Sequence, residues 1–132
     1  MEWAAIVTVL ALLQYQFFGF AVGGARRKHS IPAPAMAGHP DFERVVRVHL
    51  NTLEQLILFL PGLWLFVAFV SSSYAGPIAG VLGLAFIIGR GLYSRGYTRS
   101  ADARHIGMLI SFFPIVILLL GGLIGAVMKL VS

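Results

Sequence analysis

One polar stripe occurs in a segment that is otherwise strongly apolar. Arg47, Asn51 and Glu54 stand at positions i, i+4 and i+7, so a helix places a cation, an amide and an acid on one face. An acid just inside an apolar span is costly and usually faces a partner or a wet cavity. Two interpretations stay open at this point: Glu54 pairs with Arg47 or another arginine to hold the bundle together, or these residues face a ligand.

A second polar stripe occurs about forty residues further along the chain. Tyr93, Tyr97 and Arg104 follow one another at spacings of four and seven, with Arg90 near the same face. Tyrosines near the end of a membrane span are often interfacial anchors. However, two phenols and an arginine that face the first stripe favour a polar pocket between the two stripes over simple interfacial anchoring.

The residue types in the two stripes indicate which ligand such a pocket would bind. The guanidinium group of arginine binds carboxylates, and a carboxylate inside the protein binds an ammonium group. Asparagine and tyrosine form hydrogen bonds with peptide amides. A small, peptide-like, net anionic ligand is implied, and glutathione has this profile. The chain has no cysteine, so any thiol chemistry must use a thiol that the substrate brings. A nearby arginine would favour the nucleophilic thiolate of glutathione.

Composition decides the class of protein that carries these residues. The chain has 132 residues, of which 58% are hydrophobic and only 11% are charged. Soluble domains average about a quarter charged residues. The apolar residues also come in blocks, which predicts a small integral membrane protein with a single domain over residues 1–132.

The charged residues divide the chain into four apolar runs, and each run is long enough to cross a membrane. The predicted spans are 3–22, 44–70, 77–97 and 106–129. The fold class is therefore an all-α bundle of four transmembrane helices. The basic cluster lies after the first run and not before it, which argues against a cleaved signal peptide.

Nine of the ten lysine and arginine residues lie in or beside the first and third connections. They are Arg26, Arg27, Lys28, Arg44, Arg47, Arg90, Arg95, Arg99 and Arg104. By the positive-inside rule these connections are cytoplasmic. One end of the bundle should therefore attract anions, either ligands or lipid headgroups.

The chain resembles the MAPEG family, membrane-associated proteins of eicosanoid and glutathione metabolism. It is most similar to the branch of leukotriene C synthase and the microsomal glutathione transferases. The resemblance covers nearly the whole chain and rests on four segments. They are Ala25-Arg26-Arg27, Pro40-Asp41-Phe42-Glu43-Arg44-Val45, Arg47-x-His49-x-Asn51-x-x-Glu54, and Arg90-x-x-Tyr93-x-x-Gly96-Tyr97-x-Arg99-Ser100-x-x-x-Arg104.

The resemblance implies a homotrimer with glutathione bound between neighbouring subunits. One subunit would supply Arg47, Asn51, Glu54, Tyr93, Tyr97 and Arg104. The next would supply Arg26 and His49. Arg104 would hold and activate the thiolate, and Arg27 would act as an acid or anion stabiliser at the electrophile. His49 lies about 200° round the helix from Arg47, which independently favours two different sites.

Two positions depart from the leukotriene C synthase pattern. His49 stands where that pattern has a glutamine, and Gln55 stands where it has a tyrosine. The expected function is a membrane-bound glutathione transferase for hydrophobic electrophiles, with glutathione peroxidase activity as a second reaction open to the same thiolate. The alternative is a non-catalytic, lipid-binding scaffold of the lipoxygenase-activating type. A small multidrug exporter is disfavoured, because the first span has no acid.

Other partners and locations follow from the same pattern. The four histidines share no helical spacing with carboxylates that is typical of a metal site, so no metal is predicted. The basic residues lie at the ends of the membrane spans and do not form a free basic face, so no nucleic-acid binding is predicted. Membrane lipids are expected partners. A bacterial inner membrane and an endoplasmic reticulum fit the sequence equally well.

Overall fold

The protein consists of four long helices, described by a computed structural model over residues 1–99 and 104–132. The helices are α1 (Glu2–His29), α2 (Pro40–Phe69), α3 (Ala75–Arg99) and α4 (His105–Val131). All four are long and apolar enough to cross a membrane. The prediction of an all-α membrane protein with four spans is confirmed. Ser100, part of one segment of the family resemblance, lies outside the described residues.

The helices extend beyond the apolar runs at the basic ends of the spans. α1 continues through the cluster Arg26 to His29 and ends at Ser30, which adopts a left-handed backbone conformation (φ 54°). α2 begins at Pro40, where a missing N–H costs little at the first helical position. A short connection after Val70 joins α2 to α3, with the Ser72 hydroxyl accepting from the Tyr74 N–H.

α2 and α3 form the centre of the bundle. Each of them packs against α1, against α4 and against the other, whereas α1 and α4 do not touch in the described part of the chain. Because successive helices run in opposite directions, the end of α1, the start of α2, the end of α3 and the start of α4 meet at one end. We call this the basic end, since it carries the nine cations.

Close packing fixes α3 against its neighbours. The rings of Phe59 and Phe86 stack between α2 and α3 with centroids 3.9 Å apart and planes 2° from parallel. A Cβ at Gly107 of α4 would collide with the backbone of Tyr93, so only glycine permits this approach. The α3–α4 contact therefore holds Tyr93 in place.

Candidate functional site at the basic end

A buried arginine, Arg90, connects α2 to α3 at the basic end. Its side chain is 1% exposed. Its Nη2 donates to Asn51 Oδ1 at 2.6 Å and to Thr52 Oγ1 at 3.1 Å, and its Nε donates to Thr52 Oγ1 at 3.3 Å. Its guanidinium carbon lies 4.3 Å from the centroid of the Tyr93 ring. Arg90 thus joins the two predicted polar stripes through one side chain.

The α2 stripe contains an ion pair between its two charged members. Arg47 Nη1 lies 3.1 Å from Glu54 Oε1, two turns away on the same helix. The two side chains are 47% and 53% exposed. Glu54 is thus paired with Arg47, but the pair lies within α2 and does not join two helices, so both interpretations stay open. An ion pair so exposed is worth at most about 1 kcal/mol, so ligand charges can replace it at little cost.

The α3 stripe presents two stacked phenol rings. The ring centroids of Tyr93 and Tyr97 are 5.6 Å apart and their planes are 10° from parallel. Tyr93 is buried, whereas Tyr97 is only half-buried. The guanidinium carbon of Arg104, just before α4, lies 5.7 Å from the Tyr97 ring centroid. A continuous series of contacts therefore runs from Asn51 through Arg90 and the tyrosines to Arg104.

The predicted residues of the first connection lie in a different environment. Arg26 donates to the carbonyl oxygen of Ala35 at 2.6 Å, and its guanidinium lies 5.0 Å from the ring centroid of Phe42. These contacts hold the loop between α1 and α2. Arg27 is exposed beside it.

His49 faces α1 of its own chain. Its ring stacks on Tyr15 with centroids 4.5 Å apart, and its Nε2 lies against Gly19. It therefore points away from the Arg47–Glu54 pair, as its 200° offset on the helix predicts. Gln55 is half-buried on α2.

Two histidines and an aspartate lie close together between the end of α1 and the start of α2. The ligand atoms of His29, His39 and Asp41 all lie within 4.8 Å of one another. However, His39 Nδ1 accepts the Asp41 backbone N–H at 3.1 Å, so a neutral ring carries its proton on Nε2 and has no lone pair left for a metal. The His29 and His39 rings also stack face to face, with centroids 3.8 Å apart. His39 in this way caps the N-terminus of α2, and the absence of a metal stays a prediction.

Helical spacing does not place Arg90 or Thr52 in the candidate site. It puts Arg90 only near the second stripe, and Thr52 belongs to neither stripe. One signal pointed to Arg90: it is the first charged residue after the uncharged run 55–89. A cation there must find internal partners.

The fold and the site together define a small four-span membrane protein whose basic end carries arginines, tyrosines, an amide and an acid. The model of the MAPEG family matches residues 4–124. The chain is 43% identical over 129 residues to an uncharacterized protein of Synechocystis, covering 97% of this chain and 90% of that protein.

Two characterised relatives have named activities. Microsomal glutathione S-transferase 2 of Homo sapiens is 36% identical over 121 residues, covering 92% of this chain and 80% of the relative. Leukotriene C4 synthase of Cavia porcellus is 40% identical over 101 residues, covering 76% and 64% respectively. The chain belongs to the MAPEG family, and the resemblance inferred from its motifs is confirmed.

Proposed function

We propose that this protein is a membrane-bound glutathione transferase that conjugates glutathione to hydrophobic electrophiles. The observation that carries the proposal is the arginine–tyrosine series at the basic end, with Arg90 joining Asn51 of α2 to Tyr93 of α3. Similarity to a microsomal glutathione S-transferase over most of the chain supports it.

Each polar group of the site has a matching group on glutathione. Arg47 would bind a carboxylate through its fork, and Glu54 would bind the α-ammonium group. The existing Arg47–Glu54 contact of 3.1 Å would open to admit these two ligand charges. Asn51 and the phenols would hold the peptide amides. The chain itself has no cysteine, so glutathione supplies the thiol.

Arg104 would hold the sulfur as its thiolate. It precedes α4 directly, so the positive end of that helix and the guanidinium act on the same region. A free thiol has a pKa of about 8.5, and lowering that pKa by about 2 corresponds to roughly 2.7 kcal/mol of thiolate stabilisation. No base is required, because water takes the proton.

In the reaction, the thiolate attacks an electrophilic carbon and forms a C–S bond. With an aryl halide, the halide leaves with the bonding electron pair. The same thiolate could attack a hydroperoxide O–O bond, releasing an alcohol; a second glutathione would then form the disulfide, with water as the other product. The apolar acceptor would arrive through the bilayer, where it is concentrated.

The site is completed by a second subunit in this proposal. We infer a homotrimer in which Arg26 and His49 reach the glutathione of a neighbouring subunit and Arg27 stabilises charge at the electrophile. Two observations support it: the Arg47–Glu54 pair is half-exposed, and Arg26 and His49 lie in an environment separate from that pair. The first and third connections would face the cytoplasm.

The test is turnover by detergent-purified protein with glutathione and a chlorodinitrobenzene. We expect conjugation by the parent and a loss of at least tenfold in kcat for Arg104→Ala. The matched control is Arg99→Ala, an exposed arginine at the same end, which should keep parental kcat. Glutathione binding without any turnover would favour the non-catalytic scaffold instead, and no glutathione binding would overturn both the ligand and the activity.

A further inference from the structure

A separate stripe on α3 carries two arginines and lies on the side of the helix away from the candidate glutathione site. Leu92, Arg95, Gly96 and Arg99 occupy positions i, i+3, i+4 and i+7. Arg95 is about 200° round the helix from Tyr93. Both arginines of this stripe are exposed, in contrast to the buried Arg90.

This stripe borders a cavity of about 320 Å³ between α3 and α4, which we call the α3–α4 cavity. It is lined by Leu92, Arg95, Gly96, Arg99, Ile106 and Gly107. Two of these residues are glycines, and Gly107 is where α4 packs against the Tyr93 backbone. Leu92 and Ile106, which are 39% and 67% exposed, form an apolar wall that opens outward from the bundle.

The depth of the two arginines matches that of a lipid headgroup. At 1.5 Å per residue, Arg95 and Arg99 lie about 8 and 14 Å beyond Arg90 along α3, toward the basic end. The uncharged part of the helix, which spans the hydrocarbon, ends at Arg90. The guanidinium groups therefore lie at the interface, with the apolar wall beside them.

We propose that the α3–α4 cavity binds the anionic headgroup of a membrane phospholipid. The guanidinium groups of Arg95 and Arg99 would both bind the phosphate of the headgroup, because their geometry matches phosphate oxygens. The acyl chain would lie along Leu92 and Ile106. Basic pockets between spans suit anionic lipids in this way. The inference is independent of the glutathione site.

The experiment is native mass spectrometry of the full-length protein with phosphatidylglycerol or phosphatidylcholine of identical acyl chains. We expect the parent to retain phosphatidylglycerol at least tenfold more than phosphatidylcholine. The variant Arg95→Gln/Arg99→Gln should lose this preference, and each single variant should lose part of it. The charge-matched control is Lys28→Gln/Arg44→Gln, which removes two cations from the same end and should keep the preference.

Three results would overturn the proposal. They are equal retention of the two lipids by the parent, an unchanged preference in the double arginine variant, and an equal loss in the charge-matched control. Inorganic phosphate at the lipid concentration should not displace the lipid, because the apolar wall contributes to binding; displacement would mean that the cavity binds free anions. Both single variants change exposed residues and should fold, so the test survives any failure of the double variant.

Discussion

Replacing Arg90 with leucine should destabilise the bundle and weaken glutathione binding together. The substitution removes three hydrogen bonds and the contact with the Tyr93 ring. It leaves the oxygens of Asn51 and Thr52 without their donor, and Thr52 is fully buried. Since only one side of the contact is removed, burial of leucine does not offset the loss.

The magnitude follows from these contacts. Hydrogen bonds between membrane helices average about 0.6 kcal/mol each, so three contribute about 2 kcal/mol. The cation–π contact adds about 1 kcal/mol. A loss of about 3 kcal/mol should lower the thermal midpoint by about 10 °C in a chain of this size. Glutathione affinity should fall by at least tenfold, because Asn51 and Tyr93 lose their common support.

The assay is thermal unfolding in micelles of a phosphocholine detergent, with glutathione binding measured by calorimetry on the same samples. Arg95→Leu is the matched control, since it makes the same substitution at an exposed position of the same helix. It should leave both quantities near their parental values. If Arg90→Leu were as stable as Arg95→Leu and bound glutathione as well, the role of Arg90 as a connection between α2 and α3 would be refuted.

Two further predictions test the site and its packing. Exchanging the ion pair as Arg47→Glu/Glu54→Arg should change stability by less than about 1 kcal/mol, yet abolish glutathione binding in calorimetry; retained binding would show that the pair is only structural. Gly107→Ala should cost about 1–3 kcal/mol of unfolding free energy, because the new methyl group meets the Tyr93 backbone. Gly24→Ala, with nothing within 4 Å, should be neutral or slightly stabilising, and an equal loss in both variants would contradict the packing argument.

The sequence predicted the four spans because an uncharged run of about twenty residues has few alternatives to a membrane helix. It did not predict where each helix ends at the basic end. Arg26 to His29 lie in α1, because helical geometry continues until Ser30 adopts the left-handed conformation that ends it. When a single backbone conformation sets the end of a helix, the amino-acid composition gives little indication of where that end lies.

In the candidate site, helical periodicity predicts which residues share a face of one helix, but it does not predict contacts between helices. Helical spacing placed Arg47, Asn51 and Glu54 on one face, and it placed His49 on another, as the structure has them. The contact between Arg90 and Asn51 joins residues 39 positions apart. Only the packing of α2 against α3 creates such a contact, so spacing within one helix could not reveal it.

The most direct test of the central claim is the ionisation state of bound glutathione at pH 7. If the site lowers the thiol pKa from about 8.5 to about 6.5, about three quarters of the bound ligand is thiolate, against about 3% in water. Ultraviolet difference absorbance on titrating glutathione into the parent should show this thiolate, and Arg104→Ala should bind glutathione without it. Equal thiolate absorbance in the parent and in Arg104→Ala would contradict the account.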